Sequence, residues 1–582
     1  MANVFQELVT YDGNNTNQLV PVLAQNWSIS ANAMTYTFLM RPNTWFSNKD
    51  PINAYTAWFS FVRIIYLNAP SGTAPSNYNE LTENLTANSP DAEVPVGTCS
   101  AVASLGGNFA SANSTSQAGV DMCVAVLNNM LSNFNPSNST QQAIMSYPGQ
   151  SYVATNSSTF VVHLMSPYEF FAFDISAMWG AIVDPAFVDA HGGVQNNTVN
   201  AYFDSNGGPG SGPYEIASVG SGFVPIVLKA SPNYWAANVS GLAPVLQAAH
   251  INTIVIQYAA SQSDQIQTFA NNEAQISWVA PPFLQQMYNA YKYKSQYTIN
   301  QLLDIGGYAP SFFYVASNTQ VYPTNITDFR LAVAHSINMS QEIADTLTNP
   351  INGQPLAENY LGPMLQQNGQ YYDPGGLPPY SVNLTLAYQE IAQAGIQGNF
   401  FVTLPNSTTL GCTYGSAGCK ALPAIELAYL SPLSPLIQEQ LQIIQQNLQQ
   451  IGVNVAPYGE TPAVFSANEG TAQTSPVMTF LGWYPDWPDP VFQEMLPAAT
   501  STSFLPGWLN NATINSILAT LPFTTNQTAY INGIKQVYAM MYQQAPYAWF
   551  PNPDNYFFLQ PYLHGFTWNG FVGYYYNMMY YS

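Results

Sequence analysis

A helix that leads directly into a strand is the sequence feature that most restricts how this chain can fold. Residues 435–451 form the clearest helical pattern, with apolar side chains at alternating spacings of 4 and 3, namely Ile437, Leu441, Ile444, Leu448 and Ile451. Ser434 is a favourable N-cap, Pro435 suits the first helical position, and Gly452 ends the pattern. A strand over 453–456 is predicted to follow at once.

The same order recurs near the C-terminus, where an amphipathic helix over 528–544 precedes a strand over 547–550. Further strands are predicted over 36–41, 159–165, 223–229 and 249–257, and further helices after Asn53 and over 264–272. Helices that alternate with short strands are typical of α/β domains. A chain of 582 residues is long enough for three or four such domains.

The balance of charge excludes some classes of function. Nine Lys and Arg stand against 31 Asp and Glu, which gives a net charge of −22, and charged residues make up only 7% of the chain. A nucleic-acid binder needs a basic face, so this class is excluded. A surface that binds anionic lipid needs basic clusters, so this class is disfavoured. Below the carboxyl pKa values of about 4, few positive charges remain to repel one another. We therefore expect a protein of an acidophile that faces an acidic exterior; a neutral-pH secreted protein is the alternative.

Cysteines and sequons also favour a location outside the cell. The four cysteines form two local pairs, and their spacing favours disulfides Cys99–Cys123 and Cys412–Cys419, with reduced thiols as the alternative. A glycoprotein is indicated by candidate glycosylation sites at Asn14, Asn26, Asn84, Asn113, Asn138, Asn156, Asn196, Asn238, Asn325, Asn338, Asn383, Asn406, Asn511 and Asn526. The chain has no signal peptide and no run of about 20 apolar residues. Any leader or anchor is expected to lie outside this sequence.

Motifs for catalysis and for cofactors are missing from the sequence. The histidines are far apart and form no HExxH pair, and neither a GxSxG elbow, a Walker lysine nor a GxGxxG loop is present. These histidines are His163, His191, His250, His335 and His564. We predict no catalytic residue, no metal and no cofactor, and therefore a protein that is not an enzyme. An unmarked carboxylate pair for glycoside hydrolysis stays open as the alternative.

The most unusual segment is residues 481–490, Leu-Gly-Trp-Tyr-Pro-Asp-Trp-Pro-Asp-Pro. Its prolines exclude a helix and a central strand, so a rigid loop is expected. A carboxylate beside aromatic rings holds an ammonium group by ion pairing and cation–π attraction. The candidate ligand-binding residues are Asp486, Trp483, Tyr484 and Trp487. The alternative is a tight core turn in which Asp489 acts as a cap.

Motifs in the same order along nearly the whole chain make it resemble the peptide-type (family 5) extracellular solute-binding proteins of ABC importers. Residues 36–41 resemble the family's "YTFxLR" strand, residues 210–214 its "GTGPY" turn and residues 482–490 its "GWxADYPDP" loop. The other matching segments are 5–11, 19–27, 45–46, 233–235, 328–338, 451–455, 545–547 and 565–566. Single motifs of this kind are weak, but this number in the right order is specific.

The resemblance implies an α/β fold, a two-lobed periplasmic-binding-protein-like clamp with three domains, of type II and the enlarged cluster C. Its lobes close over the ligand by a hinge. The implied division is domain I over 1–48, domain II over 49–182, domain I again over 183–272, domain III over 273–500 and the C-terminal part of domain I over 501–582. In peptide-binding members an Asp of this loop pairs with the ligand's α-ammonium, a role that falls here on Asp486, with Trp483 beside it.

The chain departs from the family pattern in three places. The first motif begins near residue 3, so the family's first strand is expected to be absent. The arginine usual before the "NPDYW" segment is missing, because Ala230-Ser231-Pro232 precedes Asn233. Residues 67–150 are rich in Ser, Asn, Gly and Pro, and we expect long loops with short helices that form an insertion in domain II.

The leading hypothesis is a receptor that delivers oligopeptides to the permease of an ABC importer. It is expected to be a monomer at the cell surface, tethered to the membrane by a segment outside this chain, and to bind no nucleic acid. An oligosaccharide receptor of the same family, for cello- or malto-oligomers, is the alternative, because aromatic rings and amides bind sugars without charge. A surface-layer or adhesion glycoprotein is the hypothesis from a different class.

Overall fold

The structure, a computed structural model, describes residues 3–67, 82, 94–112, 116–196, 198–258, 261–291, 303–308, 310–359, 361–372, 375–500 and 505–582. The chain divides into two compact units, Met1–Tyr258 with Tyr562–Ser582, and Ala259–Pro561. Both units combine helices with sheets, so the predicted α/β class is confirmed. The finer division into domains I, II and III stays a prediction.

The first unit contains antiparallel sheets and seven described α-helices. Its strands are Val9–Asp12, Asn15–Pro21, Ala24–Ile29, Thr35–Met40, Tyr152–Asn156, Thr159–His163, Tyr214–Val219, Ile226–Ala230, Thr253–Ile256, Leu563–His564, Trp568–Asn569, Gly573–Tyr574 and Tyr580–Tyr581. Its α-helices are Ala54–Leu67, Val96–Ala103, Gln117–Leu131, Ser139–Met145, Phe171–Asp174, Pro185–Ala190 and Ala201–Asn206.

The helix Ala54–Leu67 packs against the four-stranded sheet of this unit. Asn53 caps it as predicted, because its Oδ1 accepts hydrogen bonds from the backbone N–H groups of Tyr55 and Thr56. The Phe61 ring lies 5.2 Å from Phe160, on the strand Thr159–His163, between ring centroids. Aromatic packing of this kind fixes the helix on the sheet.

One helix in the predicted loop region is longer than expected. Gln117–Leu131 spans 15 residues, begins at a Ser116 cap and buries Val120, Cys123 and Leu127. The high content of Ser and Asn around it hides this apolar periodicity in the sequence. The helix is joined to Val96–Ala103 by the Cys99–Cys123 disulfide, and Cys412 is bonded to Cys419, which is the predicted pairing.

The second unit contains a five-stranded mixed sheet that carries the candidate site. Its strands are Ile276–Ser277, Leu303–Tyr308, Phe312–Ser317, Ala357–Glu358, Phe400–Thr403, Thr409–Gly411, Lys420–Ala421, Ile425–Leu430, Val455–Glu460, Met478–Trp483, Tyr547–Trp549 and Asn552–Leu559. Its α-helices are Gln262–Ala270, Leu284–Ala290, Thr327–Ser336, Met339–Thr346, Leu384–Gly398, Pro435–Gln450, Pro462–Asn468, Leu496–Thr500, Ala512–Leu518 and Gln527–Gln544.

The predicted helix-to-strand segment forms a βαβ unit in this sheet. Helix Pro435–Gln450 connects Ile425–Leu430 to the neighbouring parallel strand Val455–Glu460, which starts two residues later than predicted. The Ser434 hydroxyl accepts the backbone N–H of Ile437, so the predicted cap is confirmed. Four of the five predicted apolar residues are fully buried, and Ile437 is half-buried.

The second predicted segment completes the same sheet. Helix Gln527–Gln544 buries Tyr530, Ile534, Val537 and Met541, the predicted face, and leads into strand Tyr547–Trp549. This strand pairs antiparallel with Phe312–Ser317 at one edge of the five-stranded sheet, whose order ends at Val455–Glu460 on the other side. Within the described residues no helix combines the length and the apolar character that a membrane crossing requires.

Charged side chains are seldom paired with each other. Within the described residues we find one ion pair, between Nδ1 of His335 and Oε2 of Glu390 at 2.9 Å. The buried Arg330 instead donates from Nε to the carbonyl oxygen of Gln544 at 2.7 Å and from Nη1 to that of Thr324 at 2.8 Å. Neutral backbone acceptors therefore satisfy a buried cation.

Many candidate glycosylation asparagines have a local structural role. In five of them Oδ1 accepts backbone N–H groups at the start of a helix, namely in Asn138, Asn338, Asn383, Asn511 and Asn526. The Nδ2 group of Asn196 donates to the carbonyl oxygen of Tyr66. Asn84 and Asn113 lie outside the described residues. Glycosylation of the others stays a prediction.

Candidate ligand site

The loop predicted from residues 481–490 begins at the end of a central strand. Strand Met478–Trp483 lies between Ile425–Leu430, to which it is parallel, and Phe312–Ser317, to which it is antiparallel. Its last residue, Trp483, pairs with Phe312. Prolines at 485, 488 and 490 lack a backbone donor and end the strand. The loop therefore starts from the middle strand of the five-stranded sheet.

Gln493, a buried residue in the helical turn Val491–Met495, contacts this loop at two points. Its backbone carbonyl accepts Nε1–H of Trp483 at 2.6 Å, and its Oε1 accepts the backbone N–H of Asp486 at 2.9 Å. Sequence reasoning missed this residue. The sequence shows only a single glutamine in an apolar turn, and this pattern does not reveal which groups its amide contacts.

Asp489 is fully buried and caps the turn that follows the loop. Its Oδ1 accepts the backbone N–H groups of Val491 at 2.8 Å and of Phe492 at 2.9 Å. The capping role proposed as the alternative for this residue is therefore confirmed. The carboxyl group of Asp489 is buried in these hydrogen bonds, so Asp486 provides the accessible carboxyl group of the loop.

Glu494 connects the same turn to a different part of the unit. Its Oε2 accepts the backbone N–H of Leu365 at 2.8 Å and Nδ2–H of Asn368 at 2.7 Å. Complete burial raises the pKa of Glu494 well above the ordinary value. No pattern in the sequence indicates the role of this carboxyl group.

Asp486 lies at the surface of this loop, and Gln493 holds its backbone N–H. Its side chain is exposed, yet the surrounding protein raises the pKa of Asp486 to about 6, because desolvation disfavours the charged form. No basic side chain among the described residues lies within ion-pair distance of it. The site thus offers a carboxyl group without a counter-charge.

The three predicted aromatic residues occupy different environments. Tyr484 is 59% exposed, and its ring stands edge-on to Phe313 at 6.3 Å between centroids. Trp483 is half-buried, while Trp487 is 1% exposed and lies in the interior. The structure brings Asp486 and Tyr484 together at the surface of one loop and does not bring Trp487 there; ligand contact by any of the four stays a prediction.

Comparison with known protein families identifies a solute-binding protein rather than an enzyme. The profile of the bacterial extracellular solute-binding proteins, family 5 Middle, matches residues 18–501. The chain belongs to this family, whose members bind solutes outside the cytoplasm and do not transform them. None of the curated proteins matches the chain significantly.

Solved structures with the same fold bind different solutes. NikA from Brucella suis in complex with Fe(III)-EDTA has a TM-score of 0.69 at 15% identity, covering 100% of this chain and 94% of that one. DppA from Helicobacter pylori, solved with the peptide STSA, has a TM-score of 0.63 at 16% identity, with coverages of 100% and 92%. OppA from Haemophilus influenzae, in complex with RPPGFSPFR, has a TM-score of 0.64 at 13% identity, with coverages of 100% and 93%. At these identities the similarity establishes the fold alone.

Proposed function

We propose that the protein is an extracellular receptor that binds oligopeptides and delivers them to the permease of an ABC importer. The observation that carries this proposal is the exposed Asp486 carboxyl group, which has no cationic partner among the described residues. An α-ammonium group of a peptide supplies the missing charge. The DppA and OppA structures, which were solved in complex with the peptides STSA and RPPGFSPFR, support the same ligand class.

The surroundings of Asp486 suit an ammonium ligand in two ways. The raised pKa means that desolvation disfavours the negative charge of Asp486 in the unliganded site. Attraction to a bound cation offsets this cost. The rings of Tyr484 and Trp483 are close to the carboxylate in sequence and add cation–π attraction when they face the ammonium group. Trp487, being buried, supports the loop from inside.

A calorimetric titration tests the ammonium contact directly. A tripeptide and its Nα-acetylated counterpart are titrated into the unmodified protein, into Asp486→Asn and into Asp345→Asn, an exposed acid on helix Met339–Thr346 that serves as the control. We expect acetylation and Asp486→Asn each to weaken binding about 10-fold or more, the scale of a charge-assisted hydrogen bond of about 1.5–3 kcal/mol. The two changes together should weaken binding no further than one alone. Equal affinity for the free and the acetylated peptide would contradict the proposal.

An oligosaccharide receptor is the second candidate, and one observation favours it. Tyr484 presents an exposed ring beside a carboxyl group that is neutral below a pH of about 6. A neutral carboxyl group exchanges hydrogen bonds with sugar hydroxyls, and aromatic faces stack on sugar rings. Titration with cello- and malto-oligomers in the same series separates the candidates. Tight sugar binding that survives Asp486→Asn, without peptide binding, would assign the protein to this second class.

The setting of the receptor follows from the same proposal. We place it as a monomeric glycoprotein at the cell surface in an acidic environment, anchored through a segment outside this sequence, with the chain divided into domains I to III as in the family. The low number of cations and the buried carboxyl groups with raised pKa values support the acidic setting. Glycopeptide mass spectrometry of the native protein tests the sugar modification.

A further inference from the structure

Glu494 and Asn368 meet inside the second unit, next to the Asp486 loop. Glu494 belongs to the turn Val491–Met495 that follows this loop, and both side chains are completely buried. Nδ2–H of Asn368 donates to Oε2 of Glu494 at 2.7 Å, and the backbone N–H of Leu365 donates to the same oxygen at 2.8 Å. Both of these donors therefore serve one oxygen of the carboxyl group.

The second oxygen of each group has no hydrogen-bond partner. Oε1 of Glu494 and Oδ1 of Asn368 find none among the residues that the structure describes, and neither atom is accessible to a water molecule. Few buried side-chain polar atoms in native proteins stay unpaired, so two in adjacent groups need a physical reason. The missing partner has to come from the protein itself, because solvent does not reach these atoms.

A proton on Glu494 provides that partner. The oxygens of a carboxylate and of an amide only accept hydrogen bonds, so Oε1 of Glu494 and Oδ1 of Asn368 repel each other when Glu494 is ionised. A carboxylic acid has one O–H donor, which turns Oε1 into a donor for Oδ1. Together with the observed bond from Nδ2–H to Oε2, this second bond closes a ring between the acid and the amide. Both unpaired atoms are then satisfied at once.

The groups around Glu494 do not compensate a negative charge. No Lys, Arg or His among the described residues forms an ion pair with it. Its titratable neighbours are Asp489, which precedes the same turn, and Tyr530 and Tyr538, on helix Gln527–Gln544. Asp489 adds negative charge, and burial raises the pKa of both tyrosines, which keeps them neutral. An ionised Glu494 is therefore a buried charge without a counter-charge, which is strongly unfavourable.

The other elements packed against the turn add no cation. Segments Leu496–Thr500 and Leu521–Phe523 contain no titratable side chain. The tyrosines that follow Asn368 interact with those of the neighbouring helix, namely Tyr371 with Tyr530 and Tyr372 with Tyr538. The raised pKa of Glu494 agrees with this uncharged setting.

A second buried acid and amide show the same pattern. Glu342, on helix Met339–Thr346, lies beside the side-chain amide of Gln440, on helix Pro435–Gln450. Oε1 of Glu342 accepts Oγ1–H of Thr346 at 2.7 Å, whereas Oε2 of Glu342 and Oε1 of Gln440 have no partner among the described residues. An unpaired acceptor on both the acid and the amide thus recurs, which agrees with a protonated acid in each pair.

We propose that Glu494 is a protonated carboxylic acid whose Oε1–H donates to Oδ1 of Asn368, and that this proton locks the turn Val491–Met495 in place. Glu494 is then a positioning residue, because the same turn contains Gln493, which holds the backbone N–H of Asp486. When the O–H bond breaks, the proton passes to water and the negative charge stays on the carboxyl group. The lost hydrogen bond and the repulsion between the two oxygens loosen the turn. This pH-sensitive lock does not depend on which solute the loop binds.

Protonation is measured at the carboxyl carbon of Glu494 in the full chain. Protein labelled with ¹³C at Cδ of glutamate is followed by NMR over a range of pH, with urea-unfolded protein as the ionised reference. The resonance of Glu494 is the one absent from Glu494→Gln. We expect it at the position of a protonated acid at neutral pH, where unfolded glutamates are ionised. A resonance that titrates with a midpoint near the ordinary pKa of 4.5 overturns the proposal.

Glu494→Gln imitates the protonated acid, because its amide keeps one acceptor and a donor. Above a pH of about 4.5 the unfolded state loses the proton of Glu494 while the folded state keeps it, so stability decreases as pH rises. We expect the equilibrium constant for unfolding in urea to rise by up to about tenfold per pH unit more in the unmodified protein than in this variant. The exposed control Glu273→Gln keeps the dependence of the unmodified protein. A Glu494→Gln protein that is unfolded, or less stable at neutral pH than the unmodified protein, contradicts the proposal.

The lock is tested by hydrogen exchange of the backbone N–H of Asp486. Its protection is compared between the unmodified protein and Glu494→Gln at each pH, which cancels the intrinsic effect of pH on exchange. We expect protection in the unmodified protein to fall at least about tenfold relative to the variant once the Glu494 resonance reaches the ionised position. Equal protection on both sides of that transition, or unfolding of both proteins at the same pH, overturns the lock. No ligand is used in these measurements, so neither result bears on the proposed peptide function.

Discussion

Oε1 of Gln493 accepts the backbone N–H of Asp486 at 2.9 Å, so a buried amide determines where an exposed carboxyl group stands. The same residue accepts Nε1–H of Trp483 through its carbonyl oxygen. Both contacts bring the loop back onto the turn that follows it. The candidate site is thus pre-organised by a buried residue that follows the loop.

Replacing this amide tests the pre-organisation. Gln493→Leu keeps a similar volume but leaves the N–H of Asp486 without an acceptor, which costs about 1–3 kcal/mol. We expect peptide affinity to fall about 10-fold in calorimetry, while circular dichroism shows a folded protein. Gln446→Leu, an exposed glutamine on helix Pro435–Gln450, is the control and should bind normally. Unchanged affinity in a folded Gln493→Leu protein would show that the loop is positioned by other contacts.

The affinity for peptides should depend on pH through Asp486. In the free protein the pKa of Asp486 is raised to about 6, and a bound ammonium group lowers it. Affinity should therefore be constant above a pH of about 7, fall by up to about tenfold per pH unit below 6 because a proton competes with the ligand, and level off at the affinity of Asp486→Asn. A C-terminally amidated peptide removes the ligand's own carboxylate from the titration. In Asp486→Asn the affinity should be low and nearly flat with pH; a steep dependence there would point to another group.

Buried carboxyl groups should make the protein more stable in acid than at neutral pH. Glu469 accepts hydrogen bonds from the hydroxyl groups of Ser475 and Thr479, and burial raises the pKa of Glu469 from 4.5 to about 7. The unfolded state loses this proton above a pH of about 4.5, and the folded state keeps it until about 7, so stability decreases over that range by up to about 3 kcal/mol. Glu469→Gln should remove this part of the pH dependence in urea unfolding. Glu273→Gln, an exposed control, should leave it in place; a pH dependence unchanged by Glu469→Gln would exclude Glu469 as its source.

The two disulfides should differ in their contribution to stability. Cys99 and Cys123 are 24 residues apart and both buried, whereas Cys412 and Cys419 are 7 apart. Chain entropy predicts a stabilisation of about 3.5 kcal/mol for the larger loop and about 2.5 kcal/mol for the smaller. Double alanine variants of each pair, compared by denaturant unfolding, should show the larger loss for the first. The reverse order would mean that loop length does not govern the effect.

The elements predicted from the sequence are those whose signals are local. Helix Pro435–Gln450 has a cap, a first-position proline and a regular apolar face within one segment, and these agree with its final environment. Helix Gln117–Leu131 has the same kind of face, but the Ser and Asn residues in the segments around it resemble a loop. Helix propensity alone does not reveal that tertiary packing stabilises a helix in this segment.

The site was predicted only where the loop's own residues define it. Asp486 and Tyr484 were predicted because an acid and aromatic rings stand beside prolines in one short segment. Gln493, Glu494 and the buried position of Trp487 depend on how the chain folds back after Pro490, which no spacing in the sequence encodes.

The hydrogen bonds of Arg330 to the carbonyl oxygens of Gln544 and Thr324 have a consequence for ionic strength. Dissolved salt weakens the attraction between two opposite ions, but it has little to screen when the acceptor is a buried, uncharged peptide group. The contacts that hold the buried Arg330 should therefore persist in brine.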